Sequence, residues 1–345
     1  MKELRVIDFG SVAALRSQTI WHALASSAGC GAPMTLSFMR PASAYVGIGL
    51  HRSIDEVDRG YCRSEGLAVI RRQIGGGPVY LDEHQLFFQI SVHRSALARS
   101  RAAAIDSLLR PLTGAFHAAG VPGELDGNGE FSLGGAKVCG HGAGEIDDGV
   151  VVVGNLIEHF DPVRASAILN TKSDWIKGKL AELMARFVGS FSAPINAAAF
   201  ISAAREALAS AFSAPDHDGK LSDEEVLEVE RFDSLLGNEA WTEAPEFLPP
   251  APRPMRIIKI RAGVYAVYRV EVAPHFFFAS VFGRVESLVI AGLDSPGSHV
   301  QEVRDCDLTV AIEMLLERGY LGQSELNSLL NVGVLTKEMT RQWVA

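Results

Sequence analysis

No apolar run in this 345-residue chain reaches the roughly 18 residues that crossing a bilayer requires, so no membrane-spanning helix is expected. Cysteine is scarce. Cys30, Cys62, Cys139 and Cys306 lie far apart with no CxxC pair, which excludes a disulfide framework or a cysteine-paired zinc site and suits a reducing compartment. The opening stretch MKELRVIDFG lacks the apolar segment of a secretory signal, so the expected location is cytoplasmic. A basic surplus is also missing. There are 32 Lys and Arg against 41 Asp and Glu, the wrong sign for a nucleic-acid-binding surface.

What is present is enough to fold. With 48% hydrophobic and 21% charged residues, the chain is globular and exceeds one typical domain. The acid excess is local: residues 216–246 hold eleven acids and two bases, whereas residues 1–190 are balanced. That tract reads as a solvated helix face.

Strand and helix patterns alternate irregularly along the first 190 residues, which predicts an α+β fold. Ser11–Ala28 has helical spacing; TLSFMR, YVGIGL, LAVIRR and LFFQISV read as strands. Ser53 with Glu56 has the form of a capping box, opening a helix that Gly66 ends. Residues 101–120 are helical, but Pro111 must break or kink them. Val150–Val153 is a buried strand, and residues 161–190 and 197–212 are mainly helical. LSDEEVLEVERF reads as a helix capped by Ser222. Five prolines between Pro245 and Pro254 mark a stiff linker. Strands and two short helices follow. The expected organisation is a catalytic domain over 1–213, an acidic helix and linker over 214–254, and a small α+β domain over 255–345.

Two stretches carry candidate chemistry. In RRQIGGGPVY, Gly75–Gly77 follow Arg71 and Arg72. Three glycines alone fit a hairpin turn. They equally fit a loop whose bare N–H groups approach an anion with no Cβ in the way. On an alternating strand the two arginines face opposite ways, so one reaches a ligand and the other is solvated or paired. In GGAKVCG, Lys137 stands among small and apolar neighbours. A lone lysine is ordinarily a surface residue, but one so placed can aim its ammonium into a cleft and clamp phosphate or carboxylate oxygens.

RRQIGGGPVYLDEHQLFFQI, followed some sixty residues later by GGAKVCG, resembles the lipoate–protein ligase family within the lipoate/biotin ligase and octanoyltransferase superfamily. The likeness spans about residues 5–190. The C-terminal part is more loosely similar to the accessory domain of such ligases, and EAWTEAPEF to the stretch leading into it. The resemblance implies a biotin/lipoate ligase-like catalytic domain with mixed and antiparallel sheets and packed helices. It implies a two-step reaction: lipoate attacks the α-phosphate of ATP to give lipoyl-AMP, and a carrier lysine then takes the acyl group. The carrier would be a lipoyl domain or a glycine-cleavage-H-like protein, with magnesium on the triphosphate. Arg72 matches the adenylate-contacting arginine, Gly75, Gly76, Gly77, Pro78, Val79 and Tyr80 the loop lining the nucleotide, and Lys137 the essential lysine. Phe88, Ile90 and Val138 could line the acyl slot or belong to the core, and Arg71, His141, Gly142 and Glu145 could contact ligand. Lipoyl carriers are usually acidic, so the tract 216–246 should face away from the docked carrier.

The chain departs from the family pattern in places. Asn128 is followed by Gly129 and Glu130, so Glu130 as a magnesium ligand is only a candidate, and VVVVGNLI stands where relatives carry a His-Gly pair. A second reading is an octanoyl or lipoyl transferase that carries the acyl group on Cys139 as a thioester, which requires a thiolate-prone cysteine. A biotin ligase would carry an arginine-rich adenylate loop, absent here. A GxGxxG dinucleotide motif is absent too.

Overall fold

The computed structural model describes residues 3–98, 100–125, 130–189, 191, 194–244, 255–271, 275–290, 301–303, 305–331 and 334–335. Asn128, Gly129 and the proline-rich stretch 245–254 lie outside the described residues. The chain divides into two compact units, one of residues 1–169 and 188–249, the other of 170–187 and 250–345.

In chain order the first unit runs β1 (Leu4–Val12), α1 (Arg16–Gly29), β2 (Met34–Pro41), β3 (Tyr45–Ile48), α2 (Arg59–Ser64), β4 (Ala68–Arg71), β5 (Val79–Leu81), β6 (Gln85–His93), α3 (Arg101–Leu109), α4 (Thr113–Ala118), β7 (Glu124–Leu125), β8 (Phe131–Leu133), β9 (Ala136–Ile146), β10 (Gly149–Ile157) and α5 (Pro162–Ala167). After α6 (Asp174–Phe187), which belongs to the second unit, come α7 (Ala197–Ala211), β11 (Asp216–Asp218), α8 (Asp223–Leu236) and α9 (Glu239–Glu243).

Eight strands form one sheet in the order β11-β1-β2-β6-β10-β9-β8-β7, parallel where β1 pairs β2 and β11 and antiparallel elsewhere. β4, β3 and β5 make a smaller mixed sheet. Both faces of the large sheet are covered. Phe38, Phe88, Ile90, Val152 and Leu156 pack against α3, α4 and α7 through Leu108, Phe116, Phe200 and Leu208. On the other face, Met39, Phe87 and Val151 meet α1 and α8 through Trp21, Leu24, Val229 and Phe232. Because β6 is covered on both sides, Gln85 to Val92 are all buried.

Sequence and structure agree at the punctuation. Pro111 sits in a 3₁₀ turn, Arg110–Leu112, that separates α3 from α4, since proline cannot donate to the turn before it. Ser222 and Glu225 form a full capping box at α8. Two expectations shift. Residues 11 and 12 extend β1, so α1 begins only at Arg16. Ser53 caps only a 3₁₀ turn, Ile54–Glu56. Glu56 accepts from the Arg52 guanidinium (2.9 Å from Nε), and Asp58 caps α2 instead.

The acidic tract holds the expected helix, α8, and one face of it is buried. Val229, Phe232 and Leu236 are buried, and Glu225, only 3% exposed, accepts from Arg5 at 2.8 and 2.5 Å. Asp233 accepts from Thr19 of α1 at 2.7 Å. A buried carboxylate is tolerated here because its lone pairs are taken by the Arg5 guanidinium and the Ser222 N–H. The helix is charged outward and apolar inward, which is why composition alone read it as solvated.

In the second unit, β12 (Arg256–Arg261), β13 (Val264–Arg269), β14 (Phe276–Val281), β15 (Arg284–Ile290) and β16 (Gln301–Val303) form an antiparallel sheet in sequence order, with β17 (Cys306–Asp307) also on β15. α10 (Leu308–Glu317) and α11 (Gln323–Asn331) cover it through Ile312, Leu315, Leu326 and Leu329. α6 joins this unit: Trp175 meets Phe277 edge-on at 5.2 Å and Arg186 pairs with Glu286 at 2.7 Å.

Candidate active site

Lys137 stands near the start of β9, and its direction depends on one irregularity. The β8–β9 register slips between Phe131 and Ser132, which pair with Cys139 and Lys137, so Val138 is an extra residue in β9. Such a bulge re-aims the side chains beside it. Val138 and Cys139 both enter the α3–α4–α7 core. Lys137 falls on the opposite face, where its Cε lies 3.8 Å from the point a Cβ on Gly140 would occupy. The Gly189 N–H donates to the Lys137 carbonyl at 2.9 Å and fixes the backbone. The ammonium lies 3.8 Å from Glu130 Oε1, with the lysine side chain 21% exposed and the glutamate 3%.

Along that face β9 presents Gly140, Gly142 and Gly144 in succession, a strip with no side chains. A Cβ on Gly140 would stand 2.5 Å from Asn155 Oδ1, and one on Gly144 would overlap Ile74. Asn155 is itself held by Gln85, to whose Oε1 it donates. Ile74 lies over Gly142 and Gly144. Successive glycines on one face are roughly 7 Å apart, so Lys137 beside Gly140 and the Ile74 backbone over Gly144 share one strip about two pleats apart, with the Ile74 side chain reaching back to Gly142.

The loop is held from several sides. Arg72 donates to the Gly75 carbonyl at 3.3 Å (Nε) and 3.0 Å (Nη2) and to the Gly77 carbonyl at 3.1 Å. Gly76 has φ +108°, and a Cβ there would overlap Arg72 Nη2; both facts require glycine. Arg72 Nη1 is buried with no hydrogen-bond partner. Burial lowers the Arg72 pKa to about 10, so the guanidinium stays cationic at neutral pH with one donor unspent. Around Gly75 and Gly77 a Cβ would meet nothing, so an approaching anion would find open backbone there.

The other candidates separate. Arg71 is fully buried, and its guanidinium donates to the carbonyls of Gly49, Leu50, Arg52 and Thr242. Every one of those bonds goes to backbone, a framework role in place of the ligand contact considered for it. Phe88, Ile90 and Val138 belong to the α3–α4–α7 core, on the far side of the sheet from Lys137. They correct the acyl-slot reading: strand alternation turns them away. His141 pairs with Gly154 and alternates with Gly142, so it too faces away from the strip. Glu145 is exposed and pairs with Arg94. Tyr80 is buried with its hydroxyl 3.4 Å from Arg164 Nη1; Pro78 is half-buried and Val79 exposed. Two residues that local pattern did not single out, His22 and Trp241, bind the loop's flanks, and both contacts span more than fifty positions of sequence.

Cys139 sits in the core at 3% exposure, and burial pushes its thiol up to about 12. Burial thus keeps the thiol protonated at neutral pH, and it faces away from Lys137, unlike the thiolate-prone cysteine that an acyl carrier needs.

Among the described residues no three His, Cys, Asp or Glu side chains are grouped to hold a metal ion. Glu130 beside Lys137 offers one carboxylate. That fits magnesium arriving on phosphate oxygens, since the ion commonly takes one or two carboxylates and keeps its other ligands from substrate and water.

Comparison with known proteins agrees with this architecture. The family described as the lipoyl protein ligase A/B catalytic domain matches residues 19–213. Among solved structures, a bipartite lipoate protein ligase of Thermoplasma acidophilum, studied with its E2 lipoyl domain, is similar at 18% identity. It covers 70% of this chain and 97% of its own, with a TM-score of 0.63. Lipoate-protein ligase A bound with ATP is similar at 19% identity, over 70% and 99% of the two chains, with a TM-score of 0.59. LipL1 of P. falciparum, in complex with lipoate, is similar at 13% identity over 81% and 86%, with a TM-score of 0.54. No curated protein sequence matches the chain. These likenesses are likenesses of fold. With more than half of its length matched, from residue 19 to residue 213, this chain belongs to the lipoyl protein ligase A/B catalytic-domain family.

Proposed function

We propose that this protein is an ATP-dependent lipoate–protein ligase, which activates lipoate to lipoyl-AMP with release of pyrophosphate and passes the lipoyl group to a lysine of a carrier protein. The observation that carries the reading is the shared strip: a lysine ammonium and an arginine-bound triple-glycine loop on one side-chain-free face. Activation brings a carboxylate against a triphosphate, two anions that repel. Cationic groups fixed beforehand on either side offset that repulsion without reorganising during the reaction. Holding both reactants in place contributes further, on the order of 7 kcal/mol in favourable cases.

In this reading the Gly75–Tyr80 loop receives the nucleotide phosphates, with Arg72 holding the loop carbonyls and placing a fixed positive charge behind them. Lys137 lies between the carboxylate and the α-phosphate and then holds the acyl carbonyl during aminolysis. Magnesium accompanies the triphosphate, with Glu130 as its candidate protein ligand. The carrier is a lipoyl domain or a glycine-cleavage-H-like protein, docked away from the acidic tract 216–246, and the reaction is cytoplasmic. Support for ATP and lipoate comes from the ligands named for the fold relatives. Support against a thioester route comes from the buried Cys139 thiol.

The test is an assay with purified protein, ATP, magnesium, lipoate and candidate carriers, read as ATP–pyrophosphate exchange and as a gain in carrier mass. Both signals are expected, and both should fall by roughly 10²–10³-fold in Lys137→Ala. A carrier mass gain from an acyl donor without ATP would instead favour a transferase.

A further inference from the structure

Residues 222–244 lie beyond the stretch matched by the family, and yet they reach the glycine loop by two separate routes. Through the first, Phe232 of α8 packs on the His22 imidazole, with ring centroids 5.2 Å apart, while Trp21 stacks on His22 at 3.5 Å. His22 Nδ1 lies 2.7 Å from the Gln18 carbonyl and Nε2 lies 3.0 Å from the Gln73 N–H. Those partners assign the tautomer: Nδ1 donates and Nε2 accepts. Burial lowers the His22 pKa to about 3, so the accepting lone pair persists at physiological pH.

The second route is reciprocal. Trp241 of α9 donates its Nε1–H to the Arg71 carbonyl at 2.9 Å. Arg71 donates back to the Thr242 carbonyl from Nε at 3.0 Å and Nη2 at 2.7 Å. Arg72, which carries the loop carbonyls, is therefore flanked by two residues whose backbone is tied down from outside. Arg71 is held by α9, and Gln73 by a histidine on which α8 packs.

We propose that residues 222–244 form a brace that sets the conformation of residues 71–77, with Trp241 and His22 as positioning residues for the loop. What the loop binds rests on the ligase reading above; the brace itself does not. A side chain aims where its backbone directs it, so freeing residue 71 or 73 lets Arg72 lose its register against Gly75 and Gly77.

The discriminating variant in the full-length chain is Trp241→Phe, which keeps an aromatic ring and removes only the N–H donor. Loss of one such hydrogen bond should raise amide exchange in a peptide spanning residues 71–80 by about tenfold and the KM for ATP by roughly three- to tenfold. The kcat should stay within about twofold, because the groups proposed to act on the reacting atoms are untouched. A merely structural tryptophan would lower Tm and leave the KM for ATP alone. Unchanged exchange in residues 71–80 overturns the proposal, as does faster exchange with a wild-type KM. If Trp241→Phe does not fold, His22→Leu, which removes the acceptor for Gln73, is read in the same way. Wild-type protein without pyrophosphate exchange would count against the ligase reading alone, and the amide-exchange comparison would still decide the brace.

Discussion

The two faces of β9 share a backbone and differ in everything a ligand would sense. One carries Val138, Cys139 and Ala143 into an apolar core against α3, α4 and α7. The other carries Lys137, Gly140, Gly142 and Gly144 beneath Ile74 and the glycine loop. Chemistry needs a charge and room beside it, and the strand supplies both by removing side chains from a single face. Cys139, two positions from the lysine, is chemically silent for the same geometric reason that the lysine is not.

Substitutions on the two faces test that difference. The largest effect is expected from Lys137→Ala, with acyl transfer falling by roughly 10²–10³-fold, the usual cost of losing one preorganised charge. Its Tm should also fall, because Glu130, only 3% exposed, loses the ammonium 3.8 Å away. Next come two glycines in contrast. Gly144→Ala drives a Cβ into Ile74 and should raise the KM for ATP by about tenfold through the displaced loop, at a cost of about 1–3 kcal/mol for overpacking. Gly154→Ala drives a Cβ into the Phe88 ring on the other face. It should cost about as much stability, seen as a lower denaturant midpoint, while the folded enzyme keeps its KM.

Cys139→Ser comes third. Burying a hydroxyl in place of the thiol should cost about 1–3 kcal/mol, with turnover retained. A thiol raised to about 12 should also resist iodoacetamide at pH 8 until the protein unfolds. The effect confined to acid pH is in the titration of His22. His22 stays neutral in the folded chain down to about pH 3, whereas the unfolded chain protonates it near 6.5. The unfolded state thus binds more protons in that window, and stability falls as pH drops from about 6.5 towards 3. His22→Gln should flatten that part of the Tm–pH curve.

Much of the fold is readable along the chain because its signals are local. Pro111 interrupts a helix wherever it stands, and Ser222 with Glu225 closes a capping box within one turn. The opposed directions of Arg71 and Arg72 follow from strand alternation. Which of them serves the loop does not, because Arg71's partners include a carbonyl 171 positions away. The likeness to known ligases singled out Lys137, but that Asn155 crowds the same glycine, Gly140, follows only from the pairing of β9 with β10. The acidic tract shows its solvated face in the sequence and hides its buried one. Charge is counted per residue, whereas burial is decided by the face Glu225 shares with Val229, Phe232 and Leu236. The membership of α6 in the second unit is settled by Trp175 meeting Phe277, a contact across about a hundred positions.

The extra residue at Val138 makes the strand's parity a switch. Were β9 to run as a regular strand straight through Val138, composition, hydropathy and both flanking motifs would be unchanged. By the strand's two-residue repeat, that change would rotate the lysine into the hydrocarbon interior. Related chains that align without a gap at the motif can therefore differ in whether their lysine reaches solvent at all. Counting residues between the lysine and the next inward-facing position says more about competence than the presence of the lysine itself.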